Sequence, residues 1–78
     1  MINIDKQLDV RGLNCPLPVL KARKTLKEMG MGQVLEILAS DPGSMNDIPA
    51  WARTTKQELL VAEERGSKDF RYVVKRLN

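Results

Sequence analysis

A single cysteine is the residue of this 78-residue chain best suited to covalent chemistry. Cys15 lies in residues 12–18, which follow a predicted strand and lead into a predicted helix. Proline is tolerated in the first turn of a helix, because the N–H groups there have no intrahelical partner. Pro16 and Pro18 also fix φ, so they predict a stiff junction that presents the thiol in one direction. Gly12 and Asn14 complete the predicted loop-shaping residues.

Two interpretations of this thiol stay open from the residues alone. The positive end of a helix dipole lowers the pKa of a nearby thiol, so its position predicts a reactive thiolate. Arg11 and Arg23 are candidates for adding positive potential. The alternative is a buried structural cysteine, since free cysteine is among the most buried residue types. The helix-start position, the two prolines and Asn14 favour a functional thiol.

Several chemistries are excluded by the composition. The chain has no histidine, so it cannot hold a Ser-His-Asp triad, a histidine base or a histidine metal ligand. One cysteine cannot form an internal disulfide or a thiolate zinc site. The five glycines are scattered and form no phosphate-binding loop. We therefore expect no metal and no cofactor, and a thiol that works in the reducing cytoplasm.

Length and charge indicate one small domain over residues 1–78. The chain has 42% apolar and 29% charged residues, which is typical of a globular protein. It has neither a transmembrane segment nor a signal-peptide pattern, so we expect no direct membrane contact. The 13 basic and 10 acidic residues give a net charge of only +3. The basic run Lys21, Arg23, Lys24 and Lys27 thus favours a solvated helix face over a nucleic-acid site.

The apolar pattern predicts six elements in the order β-α-β-α-β-β. They are strand 6–10, helix 17–29, strand 33–40, helix 47–55 and strands 58–64 and 69–77, the last two joined by a hairpin at 65–68. Asp47 is the predicted N-cap of the second helix. A start at Ser44 is the alternative, but it would place Pro49 where a backbone donor is normally needed.

This order predicts a two-layer α/β sandwich. A right-handed β-α-β crossover makes the first two strands a parallel pair, and the hairpin makes the last two antiparallel. The result is a four-stranded mixed sheet with both helices on one face. Trp51 is predicted to be a partly buried packing residue rather than a substrate platform.

The chain resembles the TusA/SirA family of small sulfur-carrier proteins from about residue 8 to residue 75. The family hallmark Cys-Pro-x-Pro is present as Cys15-Pro16-Leu17-Pro18. Further matches are Leu8-Asp9-x-x-Gly12-Leu13, Val19, Arg23-Lys24-Thr25, Asp41-Pro42, Asp47-Ile48-Pro49, Glu58-Leu59 and Phe70-Arg71-Tyr72. One departure is Trp51-Ala52-Arg53 after Asp-Ile-Pro, where some relatives carry a second cysteine.

The resemblance implies a sulfur relay. Cys15 would hold a sulfane sulfur as a persulfide, with Pro16 and Pro18 shaping its loop. Arg11, Arg23 and Asp41 are the candidates for docking partner proteins. The implied donor is a cysteine desulfurase or a rhodanese-like protein, and the implied acceptor is a DsrE-like or other protein, as in tRNA 2-thiouridine formation. Relatives also serve other branches of sulfur and selenium trafficking.

Two other functions remain open at this point. A sulfurtransferase enzyme that cleaves thiosulfate would turn over many times with a small-molecule donor, although no histidine base or second thiol is present to complete the cycle. A nucleic-acid-binding module would lose affinity steeply with salt and would not need Cys15. A sulfur carrier that does not turn over alone is the leading hypothesis.

Overall fold

The computed structural model describes residues 2–78, which form two helices and four strands. The elements are β1 (Lys6–Asp9), α1 (Leu17–Glu28), β2 (Val34–Ala39), α2 (Ser44–Thr54), β3 (Glu58–Gly66) and β4 (Asp69–Lys75). The strands form one sheet in the order β1-β2-β4-β3. β1 is parallel to β2, whereas β4 is antiparallel to both β2 and β3. The predicted mixed sheet and element order are confirmed.

Both helices pack on one face of the sheet. α1 buries Ala22 and Leu26, and α2 buries Ile48 and Ala52. Ala22, Leu26 and Ile48 belong to one apolar cluster that also contains the side chains of β2 and β4 on this face. Trp51 is partly buried against the same cluster, as predicted. In the described part of the chain, neither helix is long and apolar enough to cross a membrane.

The predicted start of α2 at Asp47 is wrong, and the alternative start at Ser44 is correct. The Ser44 hydroxyl is buried and lies 2.6 Å from the Tyr72 hydroxyl on β4, so a tertiary hydrogen bond anchors the first turn. Pro49 consequently lies inside the helix, where it supplies no N–H for the carbonyl of Met45. The anchored start outweighs the proline penalty that favoured the shorter helix.

The last residues of the chain cap α1 rather than extend β4 as far as predicted. β4 ends at Lys75. The Arg76 guanidinium donates hydrogen bonds to the carbonyls of Lys27 and Met29 at the end of α1. Basic side chains at a helix C-terminus satisfy carbonyls that have no intrahelical partner. This contact fixes the end of α1 opposite the Cys15 junction.

A polar network crosses the other face of the sheet. Arg71 on β4 donates from Nε to Glu36 Oε2 at 2.6 Å and from Nη1 to Glu63 Oε1 at 3.3 Å. Gln7 on β1 donates to Glu36 Oε1 at 2.6 Å, so the network joins all four strands. Hydrogen bonds from Gln7 and Arg71 lower the pKa of Glu36. Val73 lies on the same face and is fully buried.

We predict that Arg71→Ala lowers the free energy of unfolding at pH 7 by about 1 kcal/mol, since it removes two charge-assisted hydrogen bonds at a partly exposed site. Because the pKa of Glu36 is lowered by folding, this contribution is present above the usual Glu value and is lost as the pH falls through the lowered one. Urea unfolding at several pH values measures it. Arg65→Ala removes the more exposed pair with Asp69 and is the matched control. Equal losses in the two variants would contradict the prediction.

Candidate functional site

Cys15 lies in the loop between β1 and α1, and its side chain is exposed. The predicted alternative of a buried structural cysteine is therefore wrong. The loop leaves the sheet after Val10, whose N–H donates to the carbonyl of Leu38 at 2.8 Å. Gly12 has a φ of +89° and donates its N–H to Ser40 Oγ at 2.8 Å. The left-handed backbone at this position favours glycine, and the contact ties the loop to the end of β2.

The two prolines and Asn14 shape the entry into α1. The Leu17 N–H donates to the carbonyl of Asn14 at 2.9 Å, and the Leu20 N–H donates to the carbonyl of Pro16 at 3.2 Å. Pro16 occupies the N-cap position, one residue before the predicted place in the first turn. Pro18 lies in the first turn and is buried. The junction is thus held by packing and by backbone hydrogen bonds on both sides of Cys15.

Two carboxylates from another part of the chain contact Cys15. Asp41, in the loop after β2, accepts the Cys15 N–H at 2.8 Å. Asp47, in the first turn of α2, accepts the Cys15 thiol with an Sγ–Oδ2 distance of 2.5 Å. The prediction made Asp41 a docking residue and Asp47 a helix cap. The structure gives each carboxylate an internal contact with Cys15, and the docking role of Asp41 stays a prediction.

A sequence signal for this contact exists in the strand topology. Parallel strands end at the same edge of a sheet, so the loops after β1 and β2 must be neighbours. Residues 41–47 follow β2 and contain both acidic side chains. Combining the predicted parallel pair with the acidic loop would have placed carboxylates near the thiol.

The expected lowering of the thiol pKa is wrong. The hydrogen bond to Asp47 is the largest cause of a raised pKa for Cys15, followed by desolvation and by the negative charges of Asp47 and Asp41. A carboxylate that accepts the S–H proton stabilises the neutral thiol and repels the thiolate. Asp47 contacts the sulfur directly, whereas α1 begins two residues later at Leu17.

The two arginines expected to supply positive potential are engaged elsewhere or lie apart. Arg11 forms an ion pair with Asp9, with an Nη2–Oδ2 distance of 2.8 Å. This contact holds the pKa of Asp9 at about 2. Arg23 is exposed on α1 and lines a groove of about 430 Å³ with Trp51 and Arg76. Cys15 does not line this groove, so the structure separates the groove from the thiol.

Exposed apolar side chains flank the thiol on both elements that hold it. Leu17 at the start of α1 is 45% exposed, and Met45 in the first turn of α2 is 36% exposed. Leu20, one turn further along α1, is 51% exposed. The site therefore presents a thiol that is hydrogen-bonded to a carboxylate, together with exposed apolar side chains on α1 and α2.

Comparisons with known proteins identify the family. The family model described as Sulfurtransferase TusA matches residues 6–76. The sulfur carrier protein TusA of Allochromatium vinosum is 49% identical over 76 residues, which cover 97% of this chain and 99% of that protein. A putative sulfur carrier protein of Halobacterium salinarum is 39% identical over 74 residues, covering 95% of this chain and 91% of its own.

A solved structure shows the same fold. The SirA-like protein of Desulfitobacterium hafniense superimposes with a TM-score of 0.81 at 23% identity, covering 94% of this chain and 99% of that one. The identity is too low to carry more than the architecture. The match of the family model and the identity to the relatives, by contrast, extend over almost the whole chain. The chain belongs to the TusA family of sulfur carriers.

Proposed function

We propose that this protein carries sulfane sulfur as a persulfide on Cys15 and relays it from a donor protein to an acceptor protein. The observation that carries the proposal is the exposed thiol of the chain's single cysteine, fixed at a strand-to-helix junction in a TusA-family domain. The Cys-Pro-x-Pro motif forms that junction. A fixed and exposed sulfur atom can be reached by two different partners in turn.

The proposed transfer is balanced in atoms and electrons. Sγ of Cys15 attacks the outer sulfur of a donor persulfide, so an Sγ–S bond forms and the donor S–S bond breaks. The donor leaves as a thiolate and takes up the proton lost by Cys15. An acceptor thiol then attacks the outer sulfur in the same way, and the proton that it loses passes to Sγ of Cys15 as the Sγ–S bond breaks. Both steps are thiol exchange at sulfane sulfur, with no net oxidation.

The residues favour a carrier over a complete enzyme. The chain has no second cysteine and no histidine, so it offers neither an internal resolving thiol nor an imidazole base. The isolated protein therefore loads one sulfur and waits for an acceptor. A thiosulfate-cleaving sulfurtransferase is the second candidate, because the matching family model is described as a sulfurtransferase. Multiple turnovers with thiosulfate alone would favour it.

Partner recognition follows from the surface around the thiol. Leu17, Leu20 and Met45 offer exposed apolar contacts. Arg11, Arg23 and Asp41 are the proposed charged docking residues, with Arg23 in the separate groove beside Trp51. By resemblance, the donor is a cysteine desulfurase or a rhodanese-like protein in the cytoplasm. The acceptor is a DsrE-like or other relay protein that serves tRNA thiolation or another branch of sulfur trafficking.

We predict that Cys15→Ser abolishes sulfur loading and leaves the fold intact, because the side chain is exposed and its oxygen is a poor acceptor of sulfane sulfur. Intact mass is measured after incubation with a cysteine desulfurase and cysteine, and separately with thiosulfate. The wild-type protein should gain one sulfur atom that a reducing agent removes. Circular dichroism controls for folding. Stoichiometric loading of the folded Cys15→Ser protein would refute the carrier assignment.

We also predict that Arg23→Glu slows loading by a protein donor severalfold, since docking charges act on the rate of association. Loading by a small polysulfide should be unchanged. Lys6→Glu is the matched control, because it makes the same charge change at the start of β1, the end of the strand away from the Cys15 loop. The rate is measured by intact mass over time at two salt concentrations. Equal slowing by both variants would show that net charge, rather than Arg23, governs docking.

A further inference from the structure

The contact between Cys15 and Asp47 is held from both sides. The Asp47 N–H donates to the carbonyl of Gly43 at 3.0 Å, which holds the Asp47 backbone in the first turn of α2. On the other side, Asp41 accepts the Cys15 N–H at 2.8 Å and also the Gly43 N–H at 3.3 Å. The contact between Sγ and Asp47 Oδ2, at 2.5 Å, therefore joins the Cys15 loop to the start of α2.

The charges that face this thiol are negative. Asp41 and Asp47 are the charged groups that act on it from the β2–α2 segment. Arg11, on the thiol's own loop, contacts both carboxylate oxygens of Asp9. Within residues 2–78, neither Asp41 nor Asp47 forms an ion pair. The thiol thus lies beside two carboxylates with which no cation of the described residues forms an ion pair.

The charges of Asp41 and Asp47 also act on the Tyr72 hydroxyl. Tyr72 lies under the start of α2, where its hydroxyl contacts Ser44. Burial is the largest cause of a raised pKa for Tyr72; the hydrogen bond with Ser44 lowers this pKa, and the charges of Asp41 and Asp47 raise it. The two carboxylates therefore act together on groups at this edge of the sheet, and Asp47 is the one that contacts the reacting sulfur.

We propose that Asp47 is the gate of the carrier: it keeps the Cys15 thiol protonated in the free protein until a cationic side chain of the sulfur donor pairs with it. This inference rests on the proposed function and specifies how its site is activated. Pairing neutralises the carboxylate, and the sulfur then loses its proton to the departing donor thiolate as the new S–S bond forms. The free carrier is thereby shielded from reaction with unrelated electrophiles.

The same residue acts in the opposite sense after loading. The inner sulfur of Cys15–S–S⁻ carries no proton, so it cannot donate to Asp47. The persulfide anion faces Asp41 and Asp47 instead, and like charges at short range destabilise it. The carboxylates consequently favour transfer of the outer sulfur to an acceptor over its retention.

The test is the pH profile of Cys15 alkylation by iodoacetamide in the full chain. The midpoint for the wild-type protein should lie above about 8.5, the value for a free cysteine. Asp47→Asn should move the midpoint down and raise the rate at pH 7, about tenfold for each unit of change. Asp47→Glu should restore much of the wild-type profile. Asp69→Asn, which removes a charge at the same sheet edge, is the matched control.

Loading assays separate this inference from the proposed function. Asp47→Asn should load faster than wild type from a small polysulfide. Its increase in loading rate over wild type should be smaller when a cysteine desulfurase is the donor. Two results would refute the role of Asp47 while leaving the carrier function supported, provided that wild type loads sulfur. One is a wild-type alkylation midpoint below that of free cysteine, and the other is an Asp47→Asn midpoint equal to that of wild type. The wild-type midpoint needs no variant, so a value below that of free cysteine refutes the role of Asp47 even if Asp47→Asn misfolds. If no donor loads Cys15, both the carrier function and the role of Asp47 are refuted.

Discussion

Parallel pairing of β1 with β2 is the constraint on which the thiol site depends. It places the loop that carries Cys15 next to the loop that carries Asp41, and α2 then begins close enough for Asp47 to reach the sulfur. Ser44 locks that start by its contact with Tyr72 on β4. A shift of the β1–β2 register would move the thiol away from both carboxylates, so sheet pairing controls the chemistry of a side chain outside the sheet.

Two electrostatic effects of opposite sign act on the Cys15 thiol: the dipole of α1 and the contact with the Asp47 carboxylate. A helix N-terminus stabilises an anion within about one turn, but a hydrogen-bonded carboxylate acts at direct contact. The contact with Asp47 raises the pKa of this exposed thiol. Such a thiol suits a carrier, because its exposure serves two partners while its protonated state in the free chain limits reaction with unrelated electrophiles.

The sequence alone predicts the fold well, since local patterns decide it. Alternating apolar residues mark the strands, and the spacing of Ala22, Leu26 and Met29 marks the buried face of α1. The errors concern contacts between distant residues. Asp41 and Asp47 lie 26 and 32 positions from Cys15, so no local pattern shows that they lower its acidity. The start of α2 was missed for the same reason, because Tyr72 holds it from β4.

The central claim is that Cys15 carries sulfur in the living cell. The most direct measurement isolates the protein from its own cells with rapid alkylation of thiols and persulfides, followed by mass spectrometry of the peptide that contains Cys15. We expect a fraction of Cys15 to bear one additional sulfur atom that a reducing agent removes, and we expect this fraction to fall when the sulfur donor is depleted. If Cys15 is found only as the unmodified thiol while sulfur metabolism is active, the proposal that it carries sulfur is contradicted.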